Sequence, residues 1–222
     1  MTAYLTVDLL VVALAAYLLG AIPWGLIVVR LLKGVDIRQY GSGRIGMTNV
    51  LRTAGGKVAG VVVVLDVSKG VLAVLLAHLL IQAPDTALGE VVAALAAIIG
   101  HNWSLFLRFQ GGRGIATAGG ALLLMVPIAG AGATAAWVLV TLVTRYASVG
   151  SVAAVAAGAI ALLLLTLLGS YPWEYLVYMT AASIILIWQH RENFRRLVQG
   201  RELRLGEKAP PIASPGQERE GP

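Results

Sequence analysis

Residues 149–168 read VGSVAAVAAGAIALLLLTLL, twenty positions without a charge. A helix of that length rises about 30 Å, the thickness of the hydrocarbon core of a bilayer. A soluble domain has no ready way to bury one such segment on all sides, and comparable apolar runs recur at 4–30, 57–82, 87–108, 114–144 and 171–189. Charged residues make up only 13% of the chain, against about a quarter in soluble domains. The pattern predicts an all-α, polytopic integral membrane protein. The first run lacks a basic leading segment and is too long for a signal-peptide core, so it reads as a retained span.

The run at 114–144 overshoots a single crossing, and Pro127 lies near its middle. Two short helices joined near Pro127 fit better, which predicts seven transmembrane helices. The basic residues support that number. Only Lys69 of the 17 Lys and Arg residues lies inside a predicted span. With seven spans, the basic segments around 30–57, 108–113, 145 and 191–219 all fall on one side, whereas six spans break the pattern at Arg145. Positive charge marks the cytoplasmic side, which places the N-terminus outside and the C-terminus in the cytoplasm. Residues 1–206 then form a single membrane domain, and the polar, Pro-rich segment 207–222 reads as a disordered cytoplasmic tail. Trp24, Trp103, Trp173 and Trp188 fall near span ends, where indole rings anchor.

Within the first basic loop, GSGRIGMTN (41–49) spaces Gly41, Gly43 and Gly46 like a dinucleotide fingerprint, with Asp66 twenty residues past the last glycine. A dinucleotide site needs a strand before the glycines and a helix after them in a βαβ unit. Here an apolar span precedes the loop, and the segment that carries Asp66 runs on into another span, so NAD and FAD are excluded. The glycines still permit positive φ and close approach of backbone N–H groups to an anion. Ser42, Thr48, Asn49 and Arg52 supply polar groups beside them. A tight turn with a topology-setting arginine accounts for the same residues.

A second loop, FQGGRGIATAGG, places Arg113 among Gly111, Gly112 and Gly114 at the start of a helix, where N–H groups favour anions. His190 and Asn193 follow the last span at i, i+3 on one helix face. Asp66 and Lys69 share a span at the same spacing and read first as a mutual ion pair, with Lys69 reaching a substrate anion as the sharper alternative. His101 reads as interfacial, His78 and Glu90 lie nearer the outer side, and Ser148 and Ser151 add to the polar inner face. The chain has no cysteine, which excludes disulfides and thiolate metal sites, and no residue pattern calls for a metal or cofactor. The polar inventory suits phosphate groups, and its position at a bilayer surface suits a substrate that is both phosphorylated and lipidic.

GSGRIGMTNVLRTAGGKVAG, GHNWSLFLRFQGGRGIATAGG and HRENFRRLVQGRE, in that order, resemble the three cytoplasmic motifs of the bacterial acyl-phosphate-dependent glycerol-3-phosphate acyltransferases (PlsY type), and DVSKG and TRYASVGS resemble segments between them. The resemblance runs from about Ile22 to Gly206. It implies transfer of a fatty acyl group from acyl phosphate to the 1-hydroxyl of glycerol 3-phosphate in phospholipid biosynthesis, in the bacterial inner membrane. No cofactor, nucleic acid or obligate protein partner is implied. Ser42, Arg52, Arg113, His190 and Asn193 would be catalytic. Gly41, Gly43, Thr48, Asn49, Lys69, Gly111, Gly112, Gly114, Ser148 and Ser151 would bind substrate.

The chain departs from the family pattern at three places. Arg44-Ile45 replaces the usual Asn-Pro, Met47 the usual Ala, and Arg113 the usual Lys. An acyl phosphate is already activated, so the residues need only align the reactants and stabilise developing charge. The hydroxyl proton then goes to His190 or to the donor's own phosphate; the phosphate is favoured, because no base–orienter pair can be read from the sequence. A transporter or flippase of an anionic lipid or small phosphate compound is the alternative that the basic face would also fit.

Overall fold

The computed structural model describes residues 3–208 and 211. Ten α-helices lie among them: α1 (Ala3–Ala21), α2 (Trp24–Lys33), α3 (Met47–Ala54), α4 (Gly56–Leu80), α5 (Thr86–Asn102), α6 (Ile115–Met125), α7 (Pro127–Thr144), α8 (Ala147–Leu167), α9 (Glu174–Gln189) and α10 (Arg191–Val198). The stretch expected as one helix over 4–30 is two. Pro23, which has no N–H to donate, separates α1 from α2. Pro127 opens α7 with only Val126 between it and the end of α6, so the long run at 114–144 is broken where its sequence implies. Of the two helices it yields, α6 is short, but α7 spans 18 residues.

Among the described residues, five stretches are long and apolar enough to cross a membrane: Leu5–Lys33, Gly56–Leu80, Thr86–Leu107, Pro127–Thr144 and Ala147–Leu167. The 11 residues of α6 and the 16 of α9 fall short of that length. Large apolar side chains face outward along these helices, Leu79, Leu139, Val143 and Leu167 among them. That surface would aggregate in water and is suited to lipid.

Inside the bundle the helices approach closely through small residues. On α4, a Cβ added to Gly70 would lie 2.0 Å from the Thr117 carbonyl oxygen, and on α6 one added to Gly120 would lie 2.1 Å from that of Val67. This reciprocal contact holds α4 against α6 at backbone distance. Thr117 Oγ1 donates to the Asp66 carbonyl at 3.1 Å in the same seam. The main apolar core joins α5, α6, α8 and α9 around Ile98, Leu122, Leu162 and Tyr178; the Tyr178 hydroxyl is satisfied by the Ala118 carbonyl at 2.8 Å.

Loops distant in sequence meet at one end of the bundle. Arg44 bonds to Gly111 and Arg145 to Leu205 there. The segment after α10 lies across this end. Leu205 N donates to the Arg145 carbonyl at 2.6 Å, and Pro211 pairs with Tyr40. The polar tail expected at 207–222 lies, apart from residues 207, 208 and 211, outside the described residues.

Candidate active site

The first glycine loop is shaped by two residues in left-handed conformation, Gly41 at φ 57° and Gly43 at φ 66°, which glycine adopts without strain. The buried Asn49 holds it. Its Nδ2 donates to the carbonyls of Arg44 at 2.8 Å and Tyr40 at 3.0 Å, and its Oδ1 accepts from Ser42 N at 3.3 Å. The loop then feeds α3, with Gly46 as its N-cap.

The second glycine loop folds back on the end of α5. Gly111 N donates to the Asn102 carbonyl and Gly112 N to the His101 carbonyl, both at 3.0 Å. A Cβ on Gly112 would lie 2.0 Å from His101 Nε2, so only glycine lets the loop lie against the imidazole. The result aims Arg113 inward from the loop.

Between these loops lies a cavity of about 250 Å³. The polar end of its lining comes from the glycine loops and the helix termini beside them, with Ser42, Arg44, Thr48, Asn49, His101, Arg113, Gly114, Ser151 and His190; the helix interiors add Asp66 and Thr134 and an apolar lining, the arm, of Val63 and Val67 of α4, Ile115, Gly119 and Leu123 of α6, and Ala133 and Trp137 of α7. The charge balance of the polar end favours an anion. Arg113 has its pKa pushed down to about 10, first by burial and then by the neighbouring guanidiniums of Arg196 and Arg44. Burial likewise lowers Arg44. Both remain protonated at neutral pH, and an incoming phosphate would relieve desolvation and mutual repulsion together. The Nε of Arg113 is buried without a hydrogen-bond partner.

His190 caps the end of α9, where its Nδ1 donates to the Leu186 carbonyl at 2.8 Å. Burial pushes its pKa down to about 4, against the pull of that carbonyl, with Arg113 lowering it further. The ring is therefore neutral at pH 7 and its Nε2 is free to accept a hydrogen bond.

Most of the other residues expected at the site lie at one remove from the cavity. Arg52 is absent from its lining; its Nη2 donates to the Leu203 carbonyl of the segment after α10. Asn193 Nδ2 donates to Glu202 Oε1 at 2.6 Å, Ser148 Oγ reaches the same oxygen at 3.4 Å, and Arg196 Nε binds Glu202 Oε2 at 2.8 Å. Ser151 lines the cavity while its hydroxyl bonds the Ala147 carbonyl at 2.8 Å. Lys69, only 1% exposed, does not line the cavity and pairs with Asp66 at 2.9 Å. His101 Nδ1 completes that cluster, 3.4 Å from Lys69 Nζ and 3.6 Å from Asp66 Oδ1.

Sequence reasoning missed Glu202, the buried carboxylate that organises the third motif, because one acid among arginines looks solvated. It also passed over Arg44 and His101 as lining residues. For Arg44 a signal existed: a cation in a glycine loop where the resembled family carries Asn.

Comparison with known proteins adds an independent line. Residues 10–200 match the family model described as glycerol-3-phosphate acyltransferase. Glycerol-3-phosphate acyltransferase 3 of Dehalococcoides mccartyi is 42% identical over 214 residues, covering 92% of this chain and 99% of the relative. Glycerol-3-phosphate acyltransferase of Thermus thermophilus is 46% identical over 201 residues, covering 88% and 94%. The fold is similar to crystal structures of PlsY (YgiH), an integral membrane glycerol 3-phosphate acyltransferase. The glycerol 3-phosphate form gives a TM-score of 0.78 at 35% identity, covering 89% of this chain and 96% of that one, and the lysophosphatidic acid form a TM-score of 0.75.

Proposed function

The chain belongs to the glycerol-3-phosphate acyltransferase family and acylates glycerol 3-phosphate in the membrane; from that premise we propose that its donor is an acyl phosphate and that the reaction takes place in the cavity between the two glycine loops. The observation that carries this reading is that one cavity is lined both by guanidiniums from the two glycine loops and by apolar side chains of α4, α6 and α7. Such a lining receives a phosphorylated head and an alkyl chain in one continuous space.

Arg113 and Arg44 are the guanidiniums that face the cavity and would hold the phosphates, with the Ser42 hydroxyl and the Gly114 backbone beside them. Neutral His190 presents Nε2 as an acceptor for the 1-hydroxyl of glycerol 3-phosphate and orients it toward the acyl carbon. The hydroxyl oxygen forms the new ester bond, and the bond from the acyl carbon to the phosphate oxygen breaks. The hydroxyl proton leaves with the phosphate, a stronger base than an imidazole held near pKa 4. Products are lysophosphatidate and inorganic phosphate. Arg52, Asn193 and Ser148 contribute by fixing the segment after α10 over the site, and the Asp66–Lys69–His101 cluster supports the second loop from below.

We further read α1 with α2, α4, α5, α6, α7, α8 and α9 as seven crossings, with the N-terminus outside. The basic loops, and the site with them, then face the cytoplasm of a bacterial inner membrane.

The test is conversion by the purified protein in lipid, given palmitoyl phosphate and labelled glycerol 3-phosphate. Labelled lysophosphatidate and an equal amount of phosphate are expected, and no product from palmitoyl-CoA. An intact acyl phosphate with no labelled lipid would overturn the reading and favour transport.

A further inference from the structure

Two adjacent glycines of α6 differ in what surrounds them. Gly120 faces α4, where a Cβ would collide with the Val67 carbonyl oxygen at 2.1 Å. Packing alone explains that glycine. Gly119 has an ordinary negative φ and nothing within 4 Å of its Cβ position. Neither strain nor a close neighbour requires glycine there, and glycine is less favourable than alanine inside a helix. What Gly119 does touch is the cavity, whose apolar arm it lines.

Its place in the arm is defined by the helix. Gly119 lies about one turn beyond Ile115 and one turn short of Leu123, the interval over which α6 floors the arm, roughly 12 Å in all. Val67 of α4 and Ala133 and Trp137 of α7 line the same cavity. A side chain at 119 has open space around it and would project into that cavity, across the path of an alkyl chain lying along α6.

We propose that Gly119 is the width gauge of the acyl arm, a specificity-determining residue that lets the enzyme take donors whose chains extend past the first turn of α6. This rests on the acyl-phosphate reading above. A donor that ends below Gly119, such as butyryl phosphate, does not meet the position; palmitoyl phosphate does. Selectivity between them is therefore set at 119 and not at the cations.

The experiment compares kcat/KM for palmitoyl and butyryl phosphate, with glycerol 3-phosphate as acceptor, in the wild type and in Gly119→Ala, Gly119→Val and Gly119→Leu. Gly132→Leu on α7 is the control; it too has open space at its Cβ position, but it is exposed and does not line the cavity. The palmitoyl-to-butyryl ratio is expected to fall progressively with side-chain size, by about tenfold or more in Gly119→Leu, and to stay at the wild-type value in Gly132→Leu. Should the leucine variant not fold, the ratio in the valine variant decides. An unchanged ratio across the series, or an equal fall in Gly132→Leu, overturns the inference while leaving the donor reading intact. A wild type that converts neither acyl phosphate overturns that reading first, and the gauge with it.

Discussion

Arg44 donates through Nη1 to the carbonyl oxygen of Gly111 at 3.3 Å, joining the first glycine loop to the second across the mouth of the cavity. The residue that departs most from the resembled motif thus connects the two motifs. Its partner Ile45 is 2% exposed and packs where proline is usual, under Gly25, whose Cβ position would lie 1.8 Å from the Ile45 carbonyl oxygen. The loop is held in place by burial and a cross-loop bond.

Replacing Arg44 by Gln shortens the reach and removes the charge while keeping a polar end. A lost charge-assisted hydrogen bond predicts a rise of about tenfold in KM for at least one phosphate substrate, with a smaller change in kcat. Steady-state kinetics with each substrate varied in turn checks this.

Gly112→Ala forces a methyl group against the His101 imidazole. The shift of the second loop displaces Arg113, and a misplacement of that kind predicts a loss of about a hundredfold in kcat/KM. Because the clash is with one ring, the same substitution should cost much less in a His101→Ala background. A double-mutant cycle measures the coupling.

The Asp66–Lys69 pair is buried on both sides. Removing one charge strands the other, so Lys69→Met should lower stability by about 3–5 kcal/mol. Asp66→Leu with Lys69→Met should recover most of the loss. Thermal unfolding in detergent distinguishes the two.

His190 titrates near pH 4 in the folded chain, below its ordinary value of 6.5. A base with a depressed pKa contributes stability that is complete above the unfolded value and drains as the pH falls toward the folded one. Melting temperature should therefore decline from about pH 6.5 down to about 4, and this portion of the decline should vanish in His190→Gln. Activity should persist unaltered through the neutral range.

The absence of native cysteine makes topology directly measurable. Gln110→Cys in the second glycine loop and Gln82→Cys in the turn between α4 and α5 lie at opposite ends of α5. In intact cells, a membrane-impermeant maleimide should label the second and spare the first.

The helices and the break at Pro127 were legible in the sequence because apolar length and proline chemistry act locally. The convergence of the basic loops was legible because charge placement follows a rule about sides. What stayed hidden depends on contacts between distant positions. Arg44 and Gly111 are 67 residues apart, Ser148 and Glu202 are 54, and Arg52 and Leu203 are 151. The roles of Arg52 and Asn193 could be placed near a phosphate by motif, but no periodicity tells that their side chains turn to a carbonyl and a carboxylate of the segment after α10. The bend at Pro23 escaped for a different reason: hydropathy continues smoothly through it.

The bond from Arg52 to the Leu203 carbonyl, and the Glu202 carboxylate beside it, also bear on biogenesis. The first glycine loop leaves the ribosome long before the segment that closes over it is synthesised. Every intervening helix must be in place before Leu203 can meet Arg52, and α8 and α9 before Glu202 can meet Ser148. Completion of the site thereby reports on correct packing of the whole chain, since the contact from Arg52 to the Leu203 carbonyl spans 151 residues.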